Sequence, residues 1–158
     1  MQVFDTSSIV YAWDNYPIAL FPLLWNWLAV QINTGQIAFS EVALDELETV
    51  SPDCHAWISS VGPHTLPVTN AVVQLAMRIK AKLQIGAKYG GGVGENDLLI
   101  IATACVANVA IVSNESAQLT LPKILANYKM PAVCAMEGVK VPCCDFLTYL
   151  KGSGQVFT

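Results

Sequence analysis

Charge is scarce in this sequence. Asp, Glu, Lys and Arg make up 13% of it, about half the share usual for a globular chain. Basic residues are the rarer sign, eight against twelve acids, for a net charge of −4. Proteins that bind nucleic acid through bulk charge are normally basic, so that mode is excluded. Histidine occurs only at His55 and His64, and no two of the five cysteines have C-x-x-C spacing. A zinc site built from Cys and His is thereby excluded. The cysteine count is odd and the chain opens on a strand-like run instead of a signal peptide. Reduced, packing thiols in a cytoplasmic protein are therefore expected. No apolar run reaches the ~20 residues of a membrane span. The nearest, from Pro17 to Ile32, is interrupted by Pro22, Asn26 and Gln31.

Apolar residues, by contrast, are plentiful. They form 54% of 158 residues, which rules out global disorder and suffices for one ordinary domain spanning residues 1–158. So large an apolar share in so small a chain points to a buried self-interface, and a homodimer is expected.

Short apolar runs alternate with helical periodicity along the chain. Strands are expected at Gln2–Phe4, Ile37–Phe39, Val109–Val112 and Val139–Val141. Helices are expected after Thr6-Ser7-Ser8, from Pro17 to about Asn33, after Ser40, from Val68 to Leu83, from Leu98 to Val106, and from about Cys144 to Lys151. The stretch Val50–Thr69, with Pro52, Gly62, Pro63 and Pro67, reads as irregular. Tyr89–Gly94 reads as a glycine loop, flexible enough to form a mobile wall of a cleft. Alternation of this kind specifies a three-layer α/β/α fold around a central parallel sheet, in a single domain.

In such a sheet, ligands bind beyond the carboxyl ends of the strands. Asp5 ends the first strand. Glu115 follows the Val109–Val112 strand, and Asp97 heads the helix that feeds that strand. Glu46 lies one to two turns into the helix after Ile37–Phe39. All four can converge on one edge. Gathered carboxylates repel and raise one another's pKa, and a divalent cation removes the conflict. Hard oxygen donors suit Mg²⁺ or Mn²⁺. Each acid also has an ordinary structural reading: Asp97 as a helix cap, Asp5 as a turn residue, Glu46 and Glu115 as surface acids. Only their joint placement on the topology favours the cation site.

Other features are less specific. Arg78, Lys80, Lys82 and Lys88 cluster within eleven positions; they suit contact with RNA phosphate or a solvated helix face. Gly90 to Gly94 lacks the lysine of a phosphate-binding loop. Trp13, Trp25, Trp27 and Trp57 are expected to pack, and Cys105 to be a small buried hydrophobe. A phosphatase-like hydrolase would want a second acid two residues beyond Asp5, where Ser7 stands.

Four segments resemble the PIN-domain nucleases. Val3-Phe4-Asp5-Thr6-Ser7-Ser8 is similar to their opening strand and Asp. Asn96-Asp97-Leu98-Leu99-Ile100-Ile101-Ala102-Thr103-Ala104 resembles their central Asp and apolar, Ala-rich helix. Ile111-Val112-Ser113-Asn114-Glu115 resembles the strand and loop that follow. Val42-Ala43-Leu44-Asp45-Glu46-Leu47 resembles the helix that bears their second acid. The likeness covers nearly the whole chain and points to an uncharacterised bacterial branch close to the VapC-type toxins. It implies a Mg²⁺- or Mn²⁺-dependent endoribonuclease, the toxin of a type II toxin–antitoxin pair, with RNA as substrate, an antitoxin protein as partner and a dimeric state. Asp5, Glu46, Asp97 and Glu115 would hold the metal, and Ser7 and Ser113 would support them through hydrogen bonds. Glu115 stands where Asp is commoner, so that ligand reaches one methylene further. Glu41 competes with Glu46; the two are about 140° apart round a helix, and Glu46 fits the motif better. The alternative is a catalytically weak PIN-like module that binds protein or RNA.

Overall fold

Five short strands carry the architecture. In the computed structural model, which describes residues 1–158, they are β1 (Gln2–Phe4), β2 (Ile37–Ser40), β3 (His64–Leu66), β4 (Ala110–Val112) and β5 (Cys143–Cys144). They form one sheet in the order β3-β2-β1-β4-β5, and every neighbouring pair is parallel. The chain builds outward from β1 to β3, then resumes on the other side of β1 with β4. The order therefore reverses between β1 and β4, the point at which open α/β sheets form a ligand crevice.

Eight helices cover the sheet: α1 (Thr6–Asn15), α2 (Pro22–Asn33), α3 (Glu41–Val50), α4 (Pro52–Val61), α5 (Asn70–Lys82), α6 (Glu95–Ala107), α7 (Met130–Cys134) and α8 (Phe146–Ser153). Successive strand side chains face opposite ways. Val3 and Ile111 enter a core shared with α5, α6 and α7 through Ile79, Ile101 and Val133. Phe4, Phe39 and Val112 enter a second core shared with α1, α2, α4 and α8 through Ile9, Leu28, Ile58 and Phe146. The result is the expected α/β/α sandwich. Its central strands are apolar on both faces, hence their continuous apolar runs. Trp25 lies within the second core; Trp13, Trp27 and Trp57 pack against it half-buried.

Several boundaries differ from the sequence reading. Helix α2 begins at Pro22, not Pro17, because Pro22 occupies the first turn, where its missing N–H is not needed. Leu20 and Phe21 turn back instead to donate to Pro17 O. The stretch from Val50 to Thr69 is ordered as α4 and β3. Pro52 opens α4, Gly62 closes it at φ +82°, and Cys54 and Ile58 supply its buried face. Val139–Val141 is not a strand. Both valines are buried, and Val141 N donates to Cys134 O. Ladder pairing with β4 starts one residue later, at the Pro142 carbonyl, which accepts from Ile111 N at 2.8 Å. The last helix starts at Phe146, with Asp145 accepting from Thr148 N as its cap. Cys105 is half-buried, its thiol 3.8 Å from Val139 O. All five cysteines are free.

Candidate functional site

Asp5 follows β1 directly and forms the N-cap of α1. Its backbone N donates to Val112 O on β4 at 2.9 Å, across the reversal of strand order. Its side chain is 3% exposed. Oδ2 accepts from Ser7 Oγ at 2.5 Å and from Ser113 Oγ at 3.0 Å. Ser7 sits in the first turn of α1 and Ser113 just beyond β4, and their hydroxyls are 3.2 Å apart. Thr6-Ser7-Ser8 therefore lies inside the helix, not before it, and none of its hydroxyls caps the helix in the ordinary way.

The loop after β4 closes on the same hydroxyls. Asn114 N donates to Ser7 Oγ at 2.9 Å, and Glu115 N donates to Ser113 Oγ at 3.2 Å. Asn114 Oδ1 accepts from Phe146 N at the start of α8. This fixes the backbone of Glu115, whose carboxylate makes no hydrogen bond to the protein and is left free to turn.

Asp97 is the third residue of α6. Its Oδ2 accepts from Gly94 N at 2.7 Å, so the N3 side chain reaches back to the N-cap amide of its own helix. Glu46 projects from α3, and its Oε2 accepts from Thr6 Oγ1 at 2.8 Å. Glu41, one turn earlier, turns away: its Oε1 accepts from Val68 N at 2.7 Å in an exposed position. An open, polar hollow runs beside Glu46, lined by Asp45, Thr49 and Asn96.

Asp5, Glu46 and Asp97 thus share one arrangement. Each gives a single oxygen to a protein donor, and no protein donor reaches the other. The acids sense one another electrically. Burial is the main cause of a raised Asp5 pKa, opposed by the Ser7 and Ser113 hydrogen bonds and reinforced by the charges of Glu46 and Glu115. Burial likewise pushes Asp97 up to about 6, with Asp5, Glu115 and Glu46 adding to it and the Gly94 hydrogen bond opposing. No basic side chain offsets this charge; the protein's ion pair, Lys140 with Glu137, lies elsewhere on exposed side chains.

Hard carboxylate oxygens with unspent lone pairs, short of positive partners, fit a Mg²⁺- or Mn²⁺-sized cation. They are not drawn to a common point: no three His, Cys, Asp or Glu side chains form a closed ligand group. A cation there would rely on rotation of the Glu115 side chain, which no protein donor restrains, since Glu46 is held by Thr6 Oγ1.

The basic stretch is dispersed. Lys80 Nζ sits 4.6 Å from the centre of the Tyr89 ring, and Lys82 Nζ reaches Glu137 O at 3.5 Å. Arg78 and Lys88 are exposed. Lys80 and Tyr89 line an apolar groove between α5 and α6 that also includes Glu95, two residues from Asp97. The glycine loop is not a free wall. Val93 N donates to Tyr128 O at 2.9 Å and Gly91 N to Asn127 Oδ1 at 3.3 Å. Sequence reasoning missed the roles of Thr6, Asn114 and the Gly94 amide. It also missed Ser40, fully buried at the end of β2 with no partner for its hydroxyl. A hydroxyl directly after a strand-ending Asp was the one available signal.

A family model described as a domain of unknown function, DUF4411, matches residues 2–157. No curated protein matches the chain. Among solved structures, the chain is similar to VapBC2 from Rickettsia felis, crystallised bound to a DNA fragment from its promoter. The identity is 20% and the TM-score 0.51, over 81% of this chain and 96% of that one. At that identity the likeness is one of fold.

Proposed function

The chain belongs to the DUF4411 family and has a PIN-like α/β/α fold, and on that premise we propose that it is a Mg²⁺- or Mn²⁺-dependent endoribonuclease. The observation that carries this reading is the arrangement at the sheet reversal, where Asp5, Glu46 and Asp97 each keep one oxygen unspent. Those three and Glu115 would hold the cation. When bound, the cation supplies neutralising charge for the acids and acidifies water for attack on a phosphodiester.

The remaining roles belong to the chain. Ser7 and Ser113 hold Asp5 by one oxygen and so aim the other outward. The Gly94 amide does the same for Asp97. Glu115, unrestrained at its carboxylate, closes the set from the loop after β4. No histidine lies at the site to act as base, so deprotonation falls to the carboxylates and solvent. Arg78, Lys80, Lys82 and Lys88 would contact RNA phosphates, Lys80 from the groove it lines with Glu95.

The fold likeness to a VapBC complex supports a toxin of a type II toxin–antitoxin pair, with an antitoxin protein as partner. A family match from residue 2 to residue 157 supports action as one PIN-like domain. Exposed Leu20, Leu23 and Val30 on and before α2 support a homodimer. A second reading, a catalytically weak module that binds protein or RNA, is favoured by the dispersed acid oxygens and the acidic net charge.

Incubation of a mixed cellular RNA pool with Mn²⁺ or Mg²⁺, wild type beside Asp97→Asn, separates the two. Discrete metal-dependent fragments from the wild type alone are expected. Intact RNA with both proteins, metal binding being present in the wild type, would transfer the assignment to the binding module.

A further inference from the structure

Glu46 differs from its neighbours at the site. Asp5 and Glu115 follow strands of the sheet, and Asp97 is locked by the amide of its own helix end. Glu46 comes from the middle of α3 on a long side chain, and one contact determines where its carboxylate rests. Thr6 Oγ1 stands 2.8 Å from Glu46 Oε2 and 3.3 Å from Ala43 O. A hydroxyl has a single hydrogen to give. The charged oxygen at the shorter distance is the stronger acceptor and takes it.

We propose that Thr6 is a positioning residue of the cation site, holding Glu46 in register with Asp5. This rests on the metal-site reading above. Three consecutive residues then divide the work: Asp5 supplies a ligand, Thr6 fixes a ligand arriving from α3, and Ser7 fixes Asp5 itself. Thr6 is 6% exposed, so water does not readily replace it as Glu46's donor. The same contact explains why Glu46, and not Glu41, faces the acids: Glu41 has its own donor at Val68 N.

The competing account is that Thr6 merely fastens α1 to α3 through Ala43 O. Calorimetric titration with Mn²⁺ of the wild type, Thr6→Val, Thr6→Ser, Glu46→Gln and the Thr6→Val/Glu46→Gln double variant distinguishes the two. Melting in EDTA shows which variants are folded, and Thr6→Ala replaces Thr6→Val if the latter is not. Supporting shells of metal sites typically contribute about 10–100-fold in affinity. Thr6→Val is expected to weaken Mn²⁺ binding by about tenfold or more on that scale. Thr6→Ser, which keeps the hydroxyl, is expected to retain most of the affinity. In the Glu46→Gln background, Thr6→Val is expected to add no further loss. Equal affinity of Thr6→Val and wild type would overturn the inference. So would a Thr6→Val loss as large without Glu46 as with it, because Thr6 would then act on the fold and not on that ligand. A wild type that binds no Mn²⁺ would overturn the metal-site reading itself, and Thr6's role with it, before any variant is compared.

Discussion

Asp97 shows what gathering acids costs a fold. Burial and the neighbouring carboxylates raise its pKa to about 6, against an ordinary value of 3.8. The folded state therefore holds this proton more tightly than the unfolded chain. The favourable contribution is complete below about pH 4, shrinks as pH rises toward 6, and is absent above it. At about 1.4 kcal/mol per pH unit, the metal-free protein loses roughly 2–3 kcal/mol of relative stability across that interval. Urea denaturation in EDTA should find Asp97→Asn more stable than wild type at pH 7.5 by about 2 kcal/mol, with the gap closing toward pH 4. The same protons compete with a cation. Mn²⁺ affinity of the wild type, titrated from pH 8 to pH 5.5, is expected to fall through pH 6; a flat profile would place the cation away from Asp97. Asp5 and Asp97 were legible in the sequence because a strand end and a helix start fixed where they lie. Glu46 was legible only through the topology. Thr6 was not, because a run of hydroxyl residues after an Asp looks like a helix cap until the partner, 40 residues away, is in place.

At the scale of elements, prolines and glycines misled most. Pro52 and Gly62 are the first and last marks of α4, yet together with Pro63 and Pro67 they read as an irregular stretch. The two-residue β5 was displaced in the reading because Val139-Lys140-Val141 has the stronger apolar signature. Pro142 decides otherwise, since it offers a carbonyl to β4 but no N–H. The glycine loop gives a sharp test of how tightly it is clamped. A Cβ at Gly92 would collide with the Tyr128 carbonyl and stand 2.7 Å from Ala126 O, both backbone and unable to yield. A Cβ at Gly91 would meet only Asn127 Oδ1, at 3.7 Å. Gly92→Ala is expected to destabilise by about 1–3 kcal/mol, as overpacking does, and Gly91→Ala to change little, both read by chemical denaturation. Equal effects would mean that the loop is free of the 126–128 segment.

For the whole molecule, the α/β/α architecture followed from alternation alone, because helix and strand periods are local properties. Strand order did not, since it depends on which side of β1 the chain resumes after α6. That choice makes the site: it sets β4 beside β1, so that Ser113 meets Asp5 and the loop bearing Glu115 meets Ser7. No helix is long and apolar enough to cross a membrane, and the apolar excess is taken up largely by two cores, one on each face of the sheet. If a cation completes the acid cluster, it stabilises only the folded state. Mn²⁺ at 100 times its dissociation constant should then add about 2.7 kcal/mol to wild-type stability, reversed by EDTA and missing in Asp97→Asn. The central claim, that these four acids hold one cation centre, is tested most directly by anomalous scattering at the manganese edge from Mn²⁺-soaked crystals. The account predicts a peak bonded to Asp5 Oδ1, Asp97 Oδ1 and Glu46 Oε1, with Glu115 turned toward it. Soaked crystals with no peak among these residues, or with manganese bound only elsewhere, would contradict it.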